Sequence, residues 1–357
     1  MAAADADGTA LRATPSPRHP AGSSFDTATS APAPRPVPTT EETARLVDSR
    51  TVARRAVGRS DLRVFPIALS GNVFGWTADA AATEAVLDAF AAQGGDFLDT
   101  ADSYASGRSE TMIGQWMRSR AMRDRMTVAT KVGKSAEHPG LGTRALTRAV
   151  HASLQRLQTD RIDLLYLHID DPDVPLEETI LAVDELVRSG DVLHYGASDH
   201  TADRLFQARI ASAQEGAASM VALQKQYNLM HRHDYEGELE RVAALQGLGF
   251  MPRFALGAGF LTGKYRRKAD LARGSRVRDV ARHLNRRGLR VLAALDQVAR
   301  EHDAAPATIA IAWLLARPHV VAPVVSASSP EQVVDLTAAT GIRLTRAQIA
   351  LLEKASA

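Results

Sequence analysis

The sequence contains no cysteine among its 357 residues. Disulfide bonds, thiolate metal sites and cysteine nucleophiles are therefore excluded, and the composition is compatible with the reducing cytoplasm that we predict as its location. No apolar run reaches about 18 residues, so no membrane-spanning helix is expected. Charge of one sign is not in excess, because 43 Lys and Arg residues stand against 41 Asp and Glu residues. The basic residues are scattered, and this balance predicts neither a nucleic-acid nor a membrane partner.

Residues 1–50 have few large apolar side chains. Seven of the sixteen prolines lie between Pro15 and Pro38, among Ala, Ser and Thr residues. Such a segment cannot bury enough surface to offset the entropy lost on ordering, so we predict a disordered N-terminal extension. It lacks the apolar core of a signal peptide. A flexible extension is the favoured interpretation of residues 1–50, and targeting or docking to a partner are the alternatives.

From about Leu62 the pattern alternates between short apolar runs and stretches with apolar residues three or four positions apart. The second spacing indicates amphipathic helices. The apolar runs are predicted to be strands at 66–69, 96–99, 126–131, 162–168, 192–197, 220–224, 250–254 and 320–325. Eight strands alternating with helices favour a single (β/α)8 TIM barrel domain over residues 54–357. An open doubly wound sheet is less favoured, because no Gly-x-Gly-x-x-Gly motif follows the first strand.

Three of these predicted strands end in ionisable side chains. Asp99 ends the second strand, Lys131 the third and His168 the fourth, while Tyr104 follows the second after a short loop. Catalytic residues of such barrels gather at the carboxyl ends of the strands, so we expect these four on one rim. A phenol is a poor acid at neutral pH unless a nearby cation makes it more acidic, and a lysine held by an aspartate can supply that cation. The pattern therefore predicts a proton-transfer site.

A metal-dependent hydrolase is an alternative barrel enzyme. His168 is the one strong ligand candidate on the predicted rim. His231 and His233 share a segment with Arg232 and Asp234, which is typical of an exposed connection. We therefore predict no metal site.

Five motifs, in order along the chain, resemble those of the aldo-keto reductase superfamily. They are Phe-Leu-Asp-Thr-Ala-Asp-Ser-Tyr at 97–104 followed by Gly-Arg-Ser-Glu at 107–110, Ala-Thr-Lys-Val-Gly at 129–133, Asp-Leu-Leu-Tyr-Leu-His at 163–168, Gln-Lys-Gln-Tyr-Asn-Leu at 224–229 and Gly-Phe-Leu-Thr-Gly-Lys-Tyr at 259–265. The resemblance covers about 54–357. It implies NAD(P)H-dependent reduction of aldehyde or ketone carbonyls, with Tyr104 as the general acid, Lys131 making it more acidic, Asp99 holding Lys131, and His168 positioning the carbonyl.

The resemblance also implies a nicotinamide cofactor bound across the barrel mouth, NADPH by family habit with NADH as the alternative. The residues expected to contact it are Gly71, Asn72, Ser198, Asp199, Gln224, Phe254, Leu256, Gly257, Ser326, Ser328 and Gln332.

The chain departs from the family's pattern at four of the positions around the cofactor. This chain has Ser70 where the family often has Gly, Phe254 where it has Tyr, Asp199 where it has Asn, and Ser328 where it has Arg or Lys. An ionised Asp199 accepts from the nicotinamide amide but cannot donate to its carbonyl, so Ser198 and Gln224 would supply the donors. Without a cation at Ser328, which would select the 2′-phosphate, the choice between NADPH and NADH stays open.

A second class of function is a nicotinamide-binding regulatory or subunit protein with slow or no turnover, similar to the channel-associated members of the superfamily. The complete set of four residues at the predicted proton-transfer site argues against it, whereas the N-terminal extension keeps it open. The substrate is expected to be a small carbonyl compound, and the sequence predicts neither its identity nor the oligomeric state.

Overall fold

The computed structural model describes residues 52–273 and 277–357. The predicted disorder of residues 1–50 lies outside these ranges. Eight parallel strands form the centre of the described structure, in the order β10-β3-β4-β5-β6-β7-β8-β9. Their bounds are β3 Ala68–Ser70, β4 Phe97–Asp99, β5 Thr127–Val132, β6 Ile162–Leu167, β7 Val192–Ser198, β8 Ala222–Gln226, β9 Gly249–Arg253 and β10 Val324–Val325.

The two edges of this sheet meet, so the sheet closes on itself. The Phe250 amide of β9 donates to the His319 carbonyl, and the Val321 amide donates to the Phe250 carbonyl, at 3.0 and 2.8 Å. Helices lie between successive strands along the chain, and the predicted (β/α)8 barrel is confirmed. The helices are α1 Ala80–Ala92, α2 Arg108–Arg120, α3 Thr143–Leu157, α4 Leu176–Ser189, α5 Ala202–Gln214, α6 Glu238–Gln246, α7 Val277–Ala281, α8 Arg286–Glu301, α9 Pro306–Leu315, α10 Pro330–Ala338 and α11 Arg346–Ser356.

The eighth barrel strand is shorter than predicted. It covers Val324–Val325 instead of 320–325. Pro323 precedes it and has no amide hydrogen to give to a ladder, although its carbonyl accepts from the Ala68 amide at 3.0 Å. The first barrel strand covers Ala68–Ser70 instead of the predicted 66–69.

A short antiparallel hairpin lies across the amino-terminal end of the barrel. It pairs β1 Arg55–Ala56 with β2 Arg63–Val64. Its turn residue Gly58 has a φ of +57°, and a side chain there would meet the Val221 carbonyl oxygen, just before β8, at 2.2 Å. Val57 and Val64 of this hairpin join the apolar core inside the barrel. The hairpin covers this end, and the cavity lined by Tyr104 and His168 opens at the opposite, carboxyl end.

The helices cover the outside of the sheet. Helix α3 shows the pattern most clearly, because its apolar residues repeat at three or four positions and are buried against the barrel. Among the helices of residues 52–273 and 277–357, none has the length and apolar character needed to cross a bilayer.

Candidate active site

Asp99 and Lys131 form an ion pair beneath the carboxyl rim of the barrel. Both side chains are buried, and the Lys131 ammonium donates to Asp99 Oδ1 at 2.5 Å and to the Thr100 carbonyl at 2.8 Å. The amide of Gln224 donates to Asp99 Oδ2 at 2.8 Å. Burial is the largest single influence and lowers the pKa of Lys131, but the charges of Asp99 and Tyr104 and the hydrogen bonds to them together outweigh it, and the net shift is upward. Lys131 is therefore a fixed cation at neutral pH.

Tyr104 lies directly over this cation. The Lys131 ammonium donates to Tyr104 Oη at 3.4 Å, and its nitrogen is 4.9 Å from the centre of the phenol ring. The chain returns sharply after Tyr104, because Ala105 and Ser106 adopt left-handed φ values of 49° and 56°. Gly107 follows with a φ of 82° and is the N-cap of helix α2. Left-handed conformations of non-glycine residues cost conformational free energy and persist only where the surrounding structure holds them. The surrounding structure therefore also fixes the position of the Tyr104 phenol.

His168 faces Tyr104 edge-on. The two ring centroids are 6.2 Å apart, and the planes meet at 80°. Burial, together with the positive charges of Lys131, Lys134 and Arg253, lowers the pKa of His168 to about 2. The imidazole is therefore neutral at physiological pH and offers one N–H donor. Its Nδ1 atom is buried and has no hydrogen-bond partner among the described residues.

Tyr104 and His168 line a cavity of about 550 Å³, a size typical of small-molecule sites. It extends from the ends of β4–β6 to the loops after β9 and β10. Of the residues predicted to contact a cofactor, the following line it: Asn72, Asp199, Gln224, Phe254, Leu256, Ser326, Ser328 and Gln332. Gly71, Ser198 and Gly257 are buried and do not line the wall, and the Asp99–Lys131 pair lies behind it. Gly71 instead packs closely on Ser109, whose hydroxyl donates to its carbonyl at 2.8 Å.

Besides His168 Nδ1 and Arg253 Nε, two buried polar atoms, both on predicted cofactor residues, have no partner within the described protein. They are Asn72 Oδ1 and Ser198 Oγ. Buried polar groups are almost always hydrogen-bonded, so these atoms fit a ligand that brings its own donors and acceptors, as a carboxamide does. The residues present are therefore suited to a nicotinamide. One N–H of the Gln224 NH2 group donates to Asp99, which leaves its second N–H and its carbonyl oxygen for other partners.

Asp199 is held by cations. Its two carboxylate oxygens each accept from Arg253 Nη2 at 2.8 Å. The Lys225 and Lys134 ammonium groups lie 3.9 and 4.0 Å from them. The Arg253 guanidinium also lies 5.0 Å from the ring centre of Phe254, which is 39% exposed and open to stacking. Sequence reasoning missed Arg253 and Lys134, although each lies at or just beyond the end of a barrel strand.

The far end of the cavity is bounded by the turn that begins helix α10. Gln332 Oε1 accepts from the Ser328 amide at 3.0 Å and from its hydroxyl at 3.4 Å. Lys264 and Asp335 also line this end. Arg266, by contrast, is engaged by Asp296 through two bonds of 2.7 Å.

His231, His233 and Asp234 come close enough to bind a metal, with ligand atoms within 4.8 Å of one another. Both imidazoles instead contact the Asp234 carboxylate, at 2.6 and 2.8 Å. This group does not line the cavity.

Asp102 is a second buried carboxylate on the loop that carries Tyr104. Burial, followed by the charge of Glu110, raises the pKa of Asp102 to about 7. Glu110 itself is buried and accepts from Thr130 Oγ1 at 2.6 Å and from Arg156 Nε at 2.7 Å. Within residues 52–273 and 277–357, Asp102 therefore has no counter-ion of its own.

We expect Asp102→Asn to stabilise the protein more at pH 8 than at pH 5. The folded-state pKa lies above the ordinary value of about 4, so folding disfavours the ionised form, and Asp102 lowers stability as pH rises from about 4 to about 7. The asparagine amide does not ionise, so the variant does not lose stability as the pH rises. The difference in melting temperature between variant and wild type, measured at pH 5 and at pH 8, tests this expectation. An equal difference at both values would show that Asp102 does not titrate in this way.

Comparison with known proteins gives consistent matches over the barrel. A family model described as the aldo/keto reductase family matches residues 67–357. Aldo-keto reductase ausK of Aspergillus calidoustus is 32% identical over 316 residues, which cover 82% of this chain and 78% of that protein. The probable aryl-alcohol dehydrogenase AAD4 of Saccharomyces cerevisiae is 33% identical, covering 75% and 85%. A probable voltage-gated potassium channel subunit beta of Oryza sativa subsp. japonica is 31% identical, covering 78% and 88%.

Proposed function

Because the chain belongs to the aldo/keto reductase family, we propose that it reduces aldehyde or ketone carbonyls to alcohols with NADPH or NADH as the hydride donor. Oxidoreductases among its relatives, such as the aryl-alcohol dehydrogenase, support this reaction class. The observation that carries the proposal is the contact of Tyr104 Oη with the buried Lys131 ammonium, at the wall of a cavity that also holds His168.

Each residue of the site has a defined part in moving one proton. When bound, a reduced nicotinamide would supply hydride to the carbonyl carbon, and negative charge would then develop on the carbonyl oxygen. Tyr104 gives its proton to that oxygen, and Lys131 stabilises the phenolate left behind. Asp99 keeps Lys131 in place and charged. His168, neutral at physiological pH, donates an N–H bond that orients the oxygen.

The cofactor would lie along the cavity, with its nicotinamide at the end where Tyr104 stands. Ser198 Oγ and Asn72 Oδ1 have free bonding capacity for the carboxamide, and Phe254 presents a ring for stacking. The adenosine would reach Ser326, Ser328 and Gln332, which line the other end. We retain NADPH as the expected cofactor, with NADH as the alternative, because Lys264 is the cation that lines that end.

The experiment that tests the proposal is a titration of the purified protein with NADPH and with NADH, followed by a panel of aldehydes. Quenching of protein fluorescence reports binding, and loss of absorbance at the reduced nicotinamide band reports turnover. We expect saturable binding and sustained consumption that depends on the aldehyde. Absence of binding for both nucleotides would refute the proposal.

The similarity to a potassium channel subunit keeps a second function under consideration, a cofactor-binding subunit with little turnover. In that case one equivalent of reduced cofactor would be consumed and the reaction would then stall. The intact set of Asp99, Tyr104, Lys131 and His168 favours the enzyme.

Ser328→Arg is expected to raise the preference for NADPH over NADH by about tenfold. The guanidinium would give the 2′-phosphate the bidentate partner that the serine lacks. Dissociation constants for the two nucleotides, measured by fluorescence, give the ratio directly. Val334→Arg is the matched control, since it adds the same charge to an exposed position of helix α10 that does not line the cavity. An unchanged ratio in Ser328→Arg would mean that the phosphate is bound elsewhere.

A further inference from the structure

Positive charge accumulates at the part of the cavity where the carbonyl would bind. Lys134 and Arg253 line the wall together with His168 and Tyr104, and Lys131 lies immediately behind. The charges that act on His168 are those of Lys131, Lys134 and Arg253, all positive. Within the described site, the carboxylates within 4 Å of these three cations are Asp99 and Asp199.

Asp199 neutralises only part of this charge. It is the carboxylate within 4 Å of Lys134, and the same side chain is already bound by Arg253 through both oxygens and approached by Lys225. Lys131 is matched separately by Asp99. Three cations around one carboxylate leave a local excess of positive charge, which is unfavourable unless a ligand or solvent anion compensates for it.

Arg253 and Lys134 also have hydrogen-bond donors that are not used within the described protein. Arg253 binds Asp199 through Nη2 alone, and its Nε is buried without an acceptor in the described structure. Lys134 makes a weak contact of 4.0 Å, and its side chain is 40% exposed to the cavity mouth. Groups of this kind are suited to bind an anion through charge-assisted hydrogen bonds.

The position of Lys134 separates it from the adenosine end of the cofactor site. It follows β5, next to the strand ends that carry Tyr104 and His168, whereas the residues proposed to meet the adenosine, Ser326, Ser328 and Gln332, come from the segment after β10 and the start of α10. An anion bound by Lys134 would therefore belong to the substrate rather than to the pyrophosphate.

We propose that the preferred substrates are carbonyl compounds carrying a second, anionic group such as a carboxylate, which Lys134 binds with help from Arg253. This inference rests on the proposed carbonyl reduction and names the substrate class of the same site. The reaction balance is unchanged, because the anionic group is bound and not transformed.

The test compares 2-, 3- and 4-formylbenzoate with their methyl esters, which carry the same aldehyde without the charge. Three positional isomers are used so that the distance between the charge and the carbonyl does not decide the outcome. Wild-type protein is expected to show a higher kcat/KM for the acid in at least one pair. Lys134→Met should lower that acid-to-ester ratio about tenfold, through KM of the acid, and leave the ester unchanged.

Further measurements keep the inference falsifiable. Lys134→Arg should restore part of the ratio, and added salt should lower it in the wild type. Lys264→Met, which removes a cation at the far end of the cavity, should not change the ratio. Esters that are reduced as well as the acids in all three pairs, or an equal loss for acid and ester in Lys134→Met, would overturn the inference alone. No reduction of any aldehyde would instead refute the proposed function, and this inference with it.

Discussion

Tyr104→Phe is expected to lower kcat/KM for aldehyde reduction by a factor of about 10² to 10⁴, the range that general acid catalysis contributes. The phenylalanine ring keeps the shape of the wall but removes the hydroxyl that contacts Lys131. Hydride arrival would then leave a charge on the carbonyl oxygen with no proton donor in reach. Steady-state kinetics of the purified variant measure the loss.

Cofactor binding is the control for this variant. The dissociation constant for NADPH should stay near that of the wild type, because the residues proposed to hold the nucleotide are untouched. Ser103→Ala, which removes a neighbouring hydroxyl from the same loop, should keep its rate. Near-normal turnover in Tyr104→Phe would show that another group donates the proton.

Lys131→Met is expected to lower both activity and stability. It leaves the buried Asp99 carboxylate with Gln224 as its remaining side-chain donor. Removing one partner of a buried ion pair costs about 3 to 5 kcal/mol, because the other charge stays out of water. Urea denaturation measures the change in the free energy of unfolding, and steady-state kinetics measure the activity.

A double variant separates the two effects of Lys131. In Asp99→Asn the buried charge is absent, so adding Lys131→Met there should cost much less stability than in the wild type. Activity should remain low in the double variant, since no cation is left to stabilise the phenolate. Equal stability losses in both backgrounds would mean that the pair is not coupled, and restored activity would contradict the role given to Lys131.

The barrel and the inner site were predictable from the sequence, for a physical reason. Parallel strands bring their carboxyl ends to one rim, so residues at strand ends 99, 131 and 168 had to meet. In the structure the Lys131 ammonium lies 2.5 Å from the Asp99 carboxylate. Hairpin β1–β2 was missed because each strand has only two residues and no clear alternation.

The cationic side of the cavity was not predictable in the same way. Arg253 ends β9 and Asp199 directly follows β7, strands that are not neighbours in the sheet, and their contact depends on the curvature of the closed barrel. The role of Gln224 was likewise hidden, because the sequence does not tell which partner its amide group takes. Pairings across a barrel mouth follow from side-chain geometry rather than from spacing along the chain.

Transfer of deuterium from reduced cofactor labelled at C4 of the nicotinamide tests the central claim most directly. The purified protein is incubated with labelled cofactor in excess and an aldehyde, and the alcohol is analysed by mass spectrometry. Hydride transfer with sustained turnover predicts many deuterated alcohol molecules per protein molecule, from one of the two C4 labels. Unlabelled alcohol, or a yield that stops at one molecule per protein, would contradict it.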